Sequence, residues 1–357
     1  MSVRLPGSRV ASPRRFRRRH LLLALAVLIV VVGCLAGFMV LVPPPPYTPL
    51  PGQNPAQVTL LALGDQGSGD LQQWRVAEGM ERVAQSEGGV NMVLLLGDNF
   101  YGKALGGVDD PAWQLKFERV YHGRWLSHVP FYAVLGNHDY PASAAVELDY
   151  ARQHAGSGRW QMPAPFYTRD FGEVQGRPLL RVVFLDTNAD ANGRQRQADF
   201  LQTAFARSGP APLWKMVVAH HAMRSSGGKH GDDVGLLQQL LPAMQHSGVD
   251  LYLSGHEHNQ EVIVRPGEPA WLVSGGGGQT LDGIRPREPA DGTLFAAEQH
   301  GFARLAFTAD RLQLAYYDPQ GNREQGFLWA RACPWMAQGC LKQNDAAQLA
   351  TNRATGQ

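Results

Sequence analysis

From about residue 57 onward, short apolar runs alternate with stretches in which apolar residues return every three or four positions. VTLLALGD, MVLLLGD and VPFYAVLGNHD in the first half, and LLRVVFLDT, WKMVVAHH and VDLYLSGHEH in the second, predict buried strands. Between them the spacing predicts helices over Asp70–Ser86, near Pro111–Leu126, over Arg194–Ala206 and over Val234–Gln245. In the first of these Leu71, Trp74, Ala77, Met80, Val83 and Ala84 recur mostly at three- and four-residue steps. WLVSGGGG and RLQLAYYD add later strands, so an α/β chain turns strand-rich toward its end, with no internal repeat.

A different pattern comes first. Leu21 to Val42, LLLALAVLIVVVGCLAGFMVLV, is apolar throughout. Its length is about 33 Å as a helix, against ~30 Å for a hydrocarbon core. Arg4, Arg9, Arg14, Arg15, Arg17, Arg18 and Arg19 precede it, and no acidic residue occurs before Asp65. This predicts one transmembrane helix with residues 1–20 in the cytoplasm and the rest on the periplasmic or extracellular side. A cleaved signal peptide is the alternative; the length of the run and the lack of an A-x-A site after it favour an anchor. Val31-Val32-Gly33-Cys34 resembles a lipobox and Arg18-Arg19-His20-Leu21-Leu22 a twin-arginine signal, and both readings keep the same sidedness. Residues 43–56 then read as a Pro-rich, extended connector. The expected division is therefore 1–20 basic segment, 21–42 anchor or signal segment, 43–56 linker, 57–342 folded domain and 343–357 polar tail.

Charge changes the picture by where it lies. The chain of 357 residues has a net charge of +2, but without those seven Arg the 33 Lys+Arg fall to 26 against 31 Asp+Glu. The folded part is mildly acidic, which speaks against a nucleic-acid partner. Of three Cys, Cys34 lies in the apolar run, and Cys333 and Cys340 stand close enough to pair in an oxidising compartment or to remain separate thiols.

The candidate chemistry sits at strand ends. Five buried strands run into Gly64-Asp65, Gly97-Asp98-Asn99-Phe100-Tyr101, Gly136-Asn137-His138-Asp139, His220-His221 and Gly255-His256-Glu257-His258. In open α/β sheets ligand sites form at the carboxyl ends of strands, so these clusters should converge on one edge. Any one has an ordinary explanation, since Gly-Asp after a strand is often a turn or a helix cap. Together they concentrate five of the twelve His in three such clusters, and carboxylate, amide oxygen and imidazole suit Fe, Mn or Zn. Two such metals about 3.5–4 Å apart can generate a hydroxide and clamp a phosphoryl group.

In this order the motifs GD-x-G, GD-x-x-Y, GNHD, V-x-x-H and GH-x-H resemble the purple acid phosphatases of the calcineurin-like metallophosphoesterases, most of all the small tartrate-resistant type. RW-x-x-P-x-PFY at Arg159–Tyr167, LDT at Leu185–Thr187 and His230-Gly231 extend the likeness. The resemblance implies a single-domain, four-layer α/β/β/α sandwich and acid phosphatase activity on a small phosphorylated substrate, through a metal-bound hydroxide. It implies Fe(III) held by Asp65, Asp98, Tyr101 and His258, and a second divalent metal (Fe, Zn or Mn) held by Asp98, Asn137, His220 and His256. His138 and His230 are implied as catalytic or phosphate-contacting residues. Two departures matter. Gly67 stands where most of the superfamily has a metal-binding His, which points to Tyr101 as the replacement donor. Ala222 stands where Pro usually follows, so His221 stays an alternative to His220, the better match. Phosphodiesterase or nucleotidase activity at the same site, and a non-catalytic membrane-tethered metal-binding protein, are the other readings.

Overall fold

A computed structural model describes residues 13–41, 44–140, 142–206, 209–285, 291–331, 333 and 340–343. The chain divides into two units, Met1–Pro43 and Pro44–Gln357. The first contains helix α1, Pro13–Leu41. Among the described residues no helix is long and apolar enough to cross a membrane. The expected anchor over 21–42 thus gains no support from the structure, and part of that run lies outside the described side chains.

The second unit runs β1 (Val58–Leu63), α2 (Leu71–Ser86), β2 (Met92–Leu95), α3 (Pro111–Trp113), β3 (Phe131–Ala133), α4 (Ala144–Arg152) and β4 (Trp160–Gln161). It continues through β5 (Tyr167–Val174), β6 (Arg177–Phe184), α5 (Ala191–Phe205), β7 (Trp214–Val218), α6 (Val234–Ser247) and β8 (Leu251–Ser254). Strands then dominate, as expected: β9 (Gln260–Ile263), β10 (Ala270–Ser274), β11 (Thr293–Ala297), β12 (Phe302–Phe307), β13 (Arg311–Tyr317), β14 (Arg323–Ala330) and β15 (Leu341–Gln343).

Two mixed sheets result. One has the order β15-β14-β13-β12-β1-β2-β3-β4, the other β11-β9-β10-β8-β7-β6-β5. β1 to β4 are parallel, with Leu60 opposite Met92 and Val93 opposite Phe131, while β12 runs antiparallel to β1. β6, β7, β8 and β10 are likewise parallel. Strand alternation assigns the layers. Leu180, Val182 and Phe184 of β6, Met216 and Val218 of β7 and Leu253 of β8 join the first sheet and the α2 residues Val76, Met80 and Val83 in one core. The intervening Val183, Val217 and Tyr252 face Leu201 of α5 and Leu240 and Met244 of α6 in another. The two sheets therefore pack on each other, and α5 and α6 cover the far face of the second. Each fully buried Leu, Val or Phe contributes roughly 1.5–3 kcal/mol.

The helices begin where the sequence offers caps: Asp70, Asp190 and Asp233 each accept from a backbone N–H of the first turn. The helix expected near 111–126 is different. α3 is a single short turn that widens into a π-turn over Gln114–Glu118, which buries Phe117 and Glu118 together. Glu118 is bonded to the buried Arg159 at 2.9 Å, and Trp113 stacks on Tyr150 at 3.5 Å. Tertiary packing overrides helical spacing here. The Arg-Trp pair of the RW motif is thus a core element of this edge.

The stretch read as a connector lies along its own unit. Tyr47 N donates to Ser157 O at 2.9 Å, Asn91 Nδ2 to Gln53 Oε1 at 2.8 Å and Glu173 N to Pro55 O at 2.7 Å. Cys333 and Cys340 are disulfide-bonded, with Cα atoms 5.6 Å apart. The polar tail beyond Gln343 lies outside the described residues.

Candidate metal centre

Parallel pairing brings the carboxyl ends of β1, β2, β3, β7 and β8 to one edge, and each strand leaves a donor within a few residues of its end. Asp65, Asp98 and His256 have φ of +60°, +52° and +69°. That left-handed backbone costs an L-residue roughly 1–2 kcal/mol. Here it reverses the chain sharply enough to hang the side chain back over the strand end.

Two donor sets result. In the first, the Tyr101 hydroxyl donates to Asp98 Oδ2 at 2.9 Å and stands 3.2 Å from both Asp65 Oδ1 and His258 Nε2. In the second, Asn137 Oδ1 is 3.0 Å from His220 Nε2 and 3.0 Å from His256 Nδ1, and those two nitrogens are 3.2 Å apart. Asp98 belongs to both, because its Oδ1 lies 3.4 Å from His220 Nε2. Ligand atoms of Asp65, Asp98 and His220 fall within 4.8 Å of one another, and all three residues are buried.

Neighbouring carbonyls set the imidazoles. His220 Nδ1 is 2.9 Å from Leu96 O and His258 Nδ1 is 2.6 Å from Thr280 O. A carbonyl only accepts, so each Nδ1 carries the proton and each Nε2 lone pair turns into the cluster. Burial, opposed by the bond to His258 and reinforced by Asp98, lifts the Asp65 carboxyl to about 6. Burial and the two carboxylates push the Tyr101 phenol far above its ordinary range. Burial and adjacent imidazoles hold His220 and His256 well below theirs. Burial disfavours the His258 imidazolium, but the bond to Asp65 and nearby carboxylates raise it to about 9. Burial is the largest cause of the shifts at Asp65, Tyr101, His220 and His256, with like neighbours adding to it, and a cation among them would reverse the penalty on the carboxylates and the phenol. Oxygen and imidazole donors in two sets that share a carboxylate fit two metal ions of borderline hardness.

His138 and His230 are exposed at the rim. The His138 amide donates to Asp98 Oδ1 at 2.8 Å, and its ring lies 4.6 Å from that of Tyr101. The His230 ring stacks on His256 at 4.2 Å. His220 enters the cluster and His221 does not, for His221 Nδ1 is 2.8 Å from Thr187 Oγ1. The turn that lacks its Pro is held instead by Tyr252, whose hydroxyl donates to His221 O at 2.7 Å. The Ser274–Gly278 run braces the β1 turn, with Gly277 N donating to Gly64 O at 3.0 Å.

Gly67 has a steric reason as well as a chemical one. A Cβ there would overlap the Asn99 carbonyl, and Tyr101 N donates to Gly67 O at 3.0 Å. We expect Gly67→Ala to destabilise the metal-free protein by ~1–3 kcal/mol, the usual cost of overpacking. Urea unfolding would measure it, and an unchanged midpoint would refute the packing argument.

Three buried carboxyl groups escaped the motif reading. Asp139 accepts from Gly136 N at 2.7 Å, Phe100 N at 3.0 Å and Asn99 N at 3.2 Å, tying the second and third clusters together. Burial and Asp98 raise its carboxyl to about 7. Its signal was its place closing GNHD. Glu147 accepts from Asn99 Nδ2 at 3.0 Å and has no motif. Glu257 accepts from Gly231 N at 2.8 Å and lies 3.5 Å from His230 Nδ1, so the residue between the two His of GH-x-H fixes the His230 loop.

Residues 29–260 match the calcineurin-like phosphoesterase family. Purple acid phosphatase 4 of Arabidopsis thaliana is 32% identical over 284 residues, covering 75% of this chain and 83% of that protein. Tartrate-resistant acid phosphatase type 5 of Homo sapiens is 28% identical over 296 residues, 76% of this chain and 90% of that one. The purple acid phosphatase PPD1 of yellow lupin (Lupinus luteus) seeds shares the fold at a TM-score of 0.62 and 19% identity, over 82% of this chain and 58% of that chain. GAP50, the anchor in the inner membrane complex of Plasmodium, shares it at a TM-score of 0.68 and 24% identity, over 76% of this chain and 88% of that one. All seven donors lie inside the matched span, and the chain belongs to the calcineurin-like metallophosphoesterases, related within them to the purple acid phosphatases.

Proposed function

We propose that this chain is a phosphate monoester hydrolase of acid phosphatase type, acting outside the cytoplasm. The observation that carries the reading is Asp98, whose two oxygens face two separate donor sets. Asp65, Asp98, Tyr101 and His258 would hold a ferric ion, and Asp98, Asn137, His220 and His256 a second Fe, Zn or Mn ion. When bound, such ions acidify water and draw charge from the phosphoryl oxygens. The chain's own residues do the rest. Side chains fixed by carbonyls and by left-handed turns keep the donor positions set in advance, so that no reorganisation is needed when substrate arrives. An N–H of the exposed His138 gives its proton to the departing ester oxygen. Glu257 keeps His230 Nδ1 turned inward, which leaves its other nitrogen for a phosphate oxygen.

Neither His is needed for holding metal, which favours catalysis over a metal-binding tether. The disulfide, the Arg-rich start and the long apolar run support an extracytoplasmic site, whether that run is an anchor or a cleaved signal.

The full chain, loaded with iron and a divalent cation, is expected to hydrolyse p-nitrophenyl phosphate faster than its diester. His138→Ala should keep its metal but lose ~10²–10⁴-fold in kcat. Preference for the diester would select the phosphodiesterase reading, and a metal-replete protein inert to both would exclude an enzyme.

A further inference from the structure

A cavity of about 320 Å³ opens beside the donor cluster, walled by Thr187, Asn188, Arg194, His221, Asp233 and Leu236. We propose that it receives the alcohol part of the substrate and selects a neutral, polyhydroxylated one, such as a glycerol or sugar monoester. The inference rests on the phosphomonoesterase reading above.

Position comes first. The His221 ring lies 4.4 Å from that of His256 and 5.1 Å from that of His220. Asn188 Nδ2 donates at 3.0 Å to Leu135 O, two residues before Asn137. The cavity therefore adjoins the second donor set, within reach of an ester substituent that leaves a phosphoryl group seated there on the His221 side.

The wall then specifies the guest. Arg194 Nε donates to Gln239 Oε1 and its Nη1 to Ala189 O, so the guanidinium is fixed before any ligand arrives. Asp233 caps α6 through Oδ1, which accepts from Leu236 N at 2.9 Å. Among the described residues, no hydrogen bond uses Arg194 Nη2, Asp233 Oδ2 or Asn188 Oδ1. The two N–H of Arg194 Nη2 and the oxygens Asp233 Oδ2 and Asn188 Oδ1 thus remain on a wall of balanced charge. A cationic substituent that pairs with Asp233 also faces Arg194, and a second phosphate that pairs with Arg194 also faces Asp233, so either leaves one wall charge opposed by a like charge. An aromatic one would desolvate all three groups without pairing any. A hydroxyl both donates and accepts, and several on one carbon chain satisfy all three.

The test compares kcat/KM of the metal-loaded full chain for glycerol 2-phosphate and a hexose 6-phosphate with phosphocholine, a linear diol bisphosphate and p-nitrophenyl phosphate. Wild type should prefer the polyol esters to both charged esters. Arg194→Met and Asp233→Asn, the latter still able to cap α6, should each lower the polyol to p-nitrophenyl ratio about tenfold, mainly through KM. Equal or better use of a charged ester by wild type, or a ratio that neither variant moves, overturns the proposal. A wild type inert to every ester instead overturns the phosphomonoesterase reading, and this inference with it.

Discussion

Asp98→Ala is expected to lose metal and hydrolysis together, with activity falling by more than ~10³-fold, beyond the usual cost of one stabilising donor in an active site. Among the described residues Asp98 is the one side chain with an oxygen in each donor set, so its removal leaves neither set complete. It also accepts from the Tyr101 hydroxyl at 2.9 Å and from the His138 amide at 2.8 Å, so the variant unties the ring and the loop that flank the reaction. The same change removes a buried carboxylate facing Asp65, whose own carboxyl is raised in part by that neighbour. The protein should therefore stay folded while it loses function. Metal analysis beside far-ultraviolet circular dichroism separates these effects. Two equivalents of metal retained in folded Asp98→Ala would remove Asp98 from its bridging place.

The second large effect is optical. A phenolate on ferric iron gives a ligand-to-metal charge-transfer band in the visible, so the oxidised, iron-loaded protein should be purple. Tyr101→Phe keeps the buried ring against His138 and deletes the one oxygen that supplies that charge. The band should vanish with little loss of stability, since a shape-conserving change is well tolerated, and the orphaned acceptors Asp65 and Asp98 face bound cations instead. Retention of the band in Tyr101→Phe, or no band in wild type, would place another ligand on the iron and make zinc or manganese the better candidates.

Much of this was legible because buried parallel strands write themselves as uninterrupted apolar runs and end in their functional residues. VTLLALGD and WKMVVAHH state both strand and donor. Gly67, Asp98 and Tyr101 were readable as a group, since a phenol three residues after Asp98 offers an oxygen where Gly67 offers no nitrogen, and the fold does bring that hydroxyl to Asp65, Asp98 and His258. The choice between His220 and His221 needed three dimensions, because only the fold brings Thr187 to one ring and Leu96 O to the other. The 111–126 region misled because its spacing is helical, whereas the chain there widens into a π-turn that buries Glu118 against Arg159. Asp139 and Glu147 act on backbone amides and on Asn99, contacts that leave no periodic trace. The polar cavity beside His221 is assembled from three separate segments, so no single stretch announces it.

Asp65, Asp98 and His256 share a left-handed backbone that glycine would adopt freely. Selection for heat resistance and selection for turnover therefore pull in opposite directions at these three positions. A library ranked by melting temperature after chelation would enrich glycine or asparagine there, relieving the backbone and, at the two Asp, the crowded charge. Its hardiest members would be the ones with nothing left to bind, so a stabilised version of this protein should be sought by screening with metal present, where each of these residues returns more than its conformation costs.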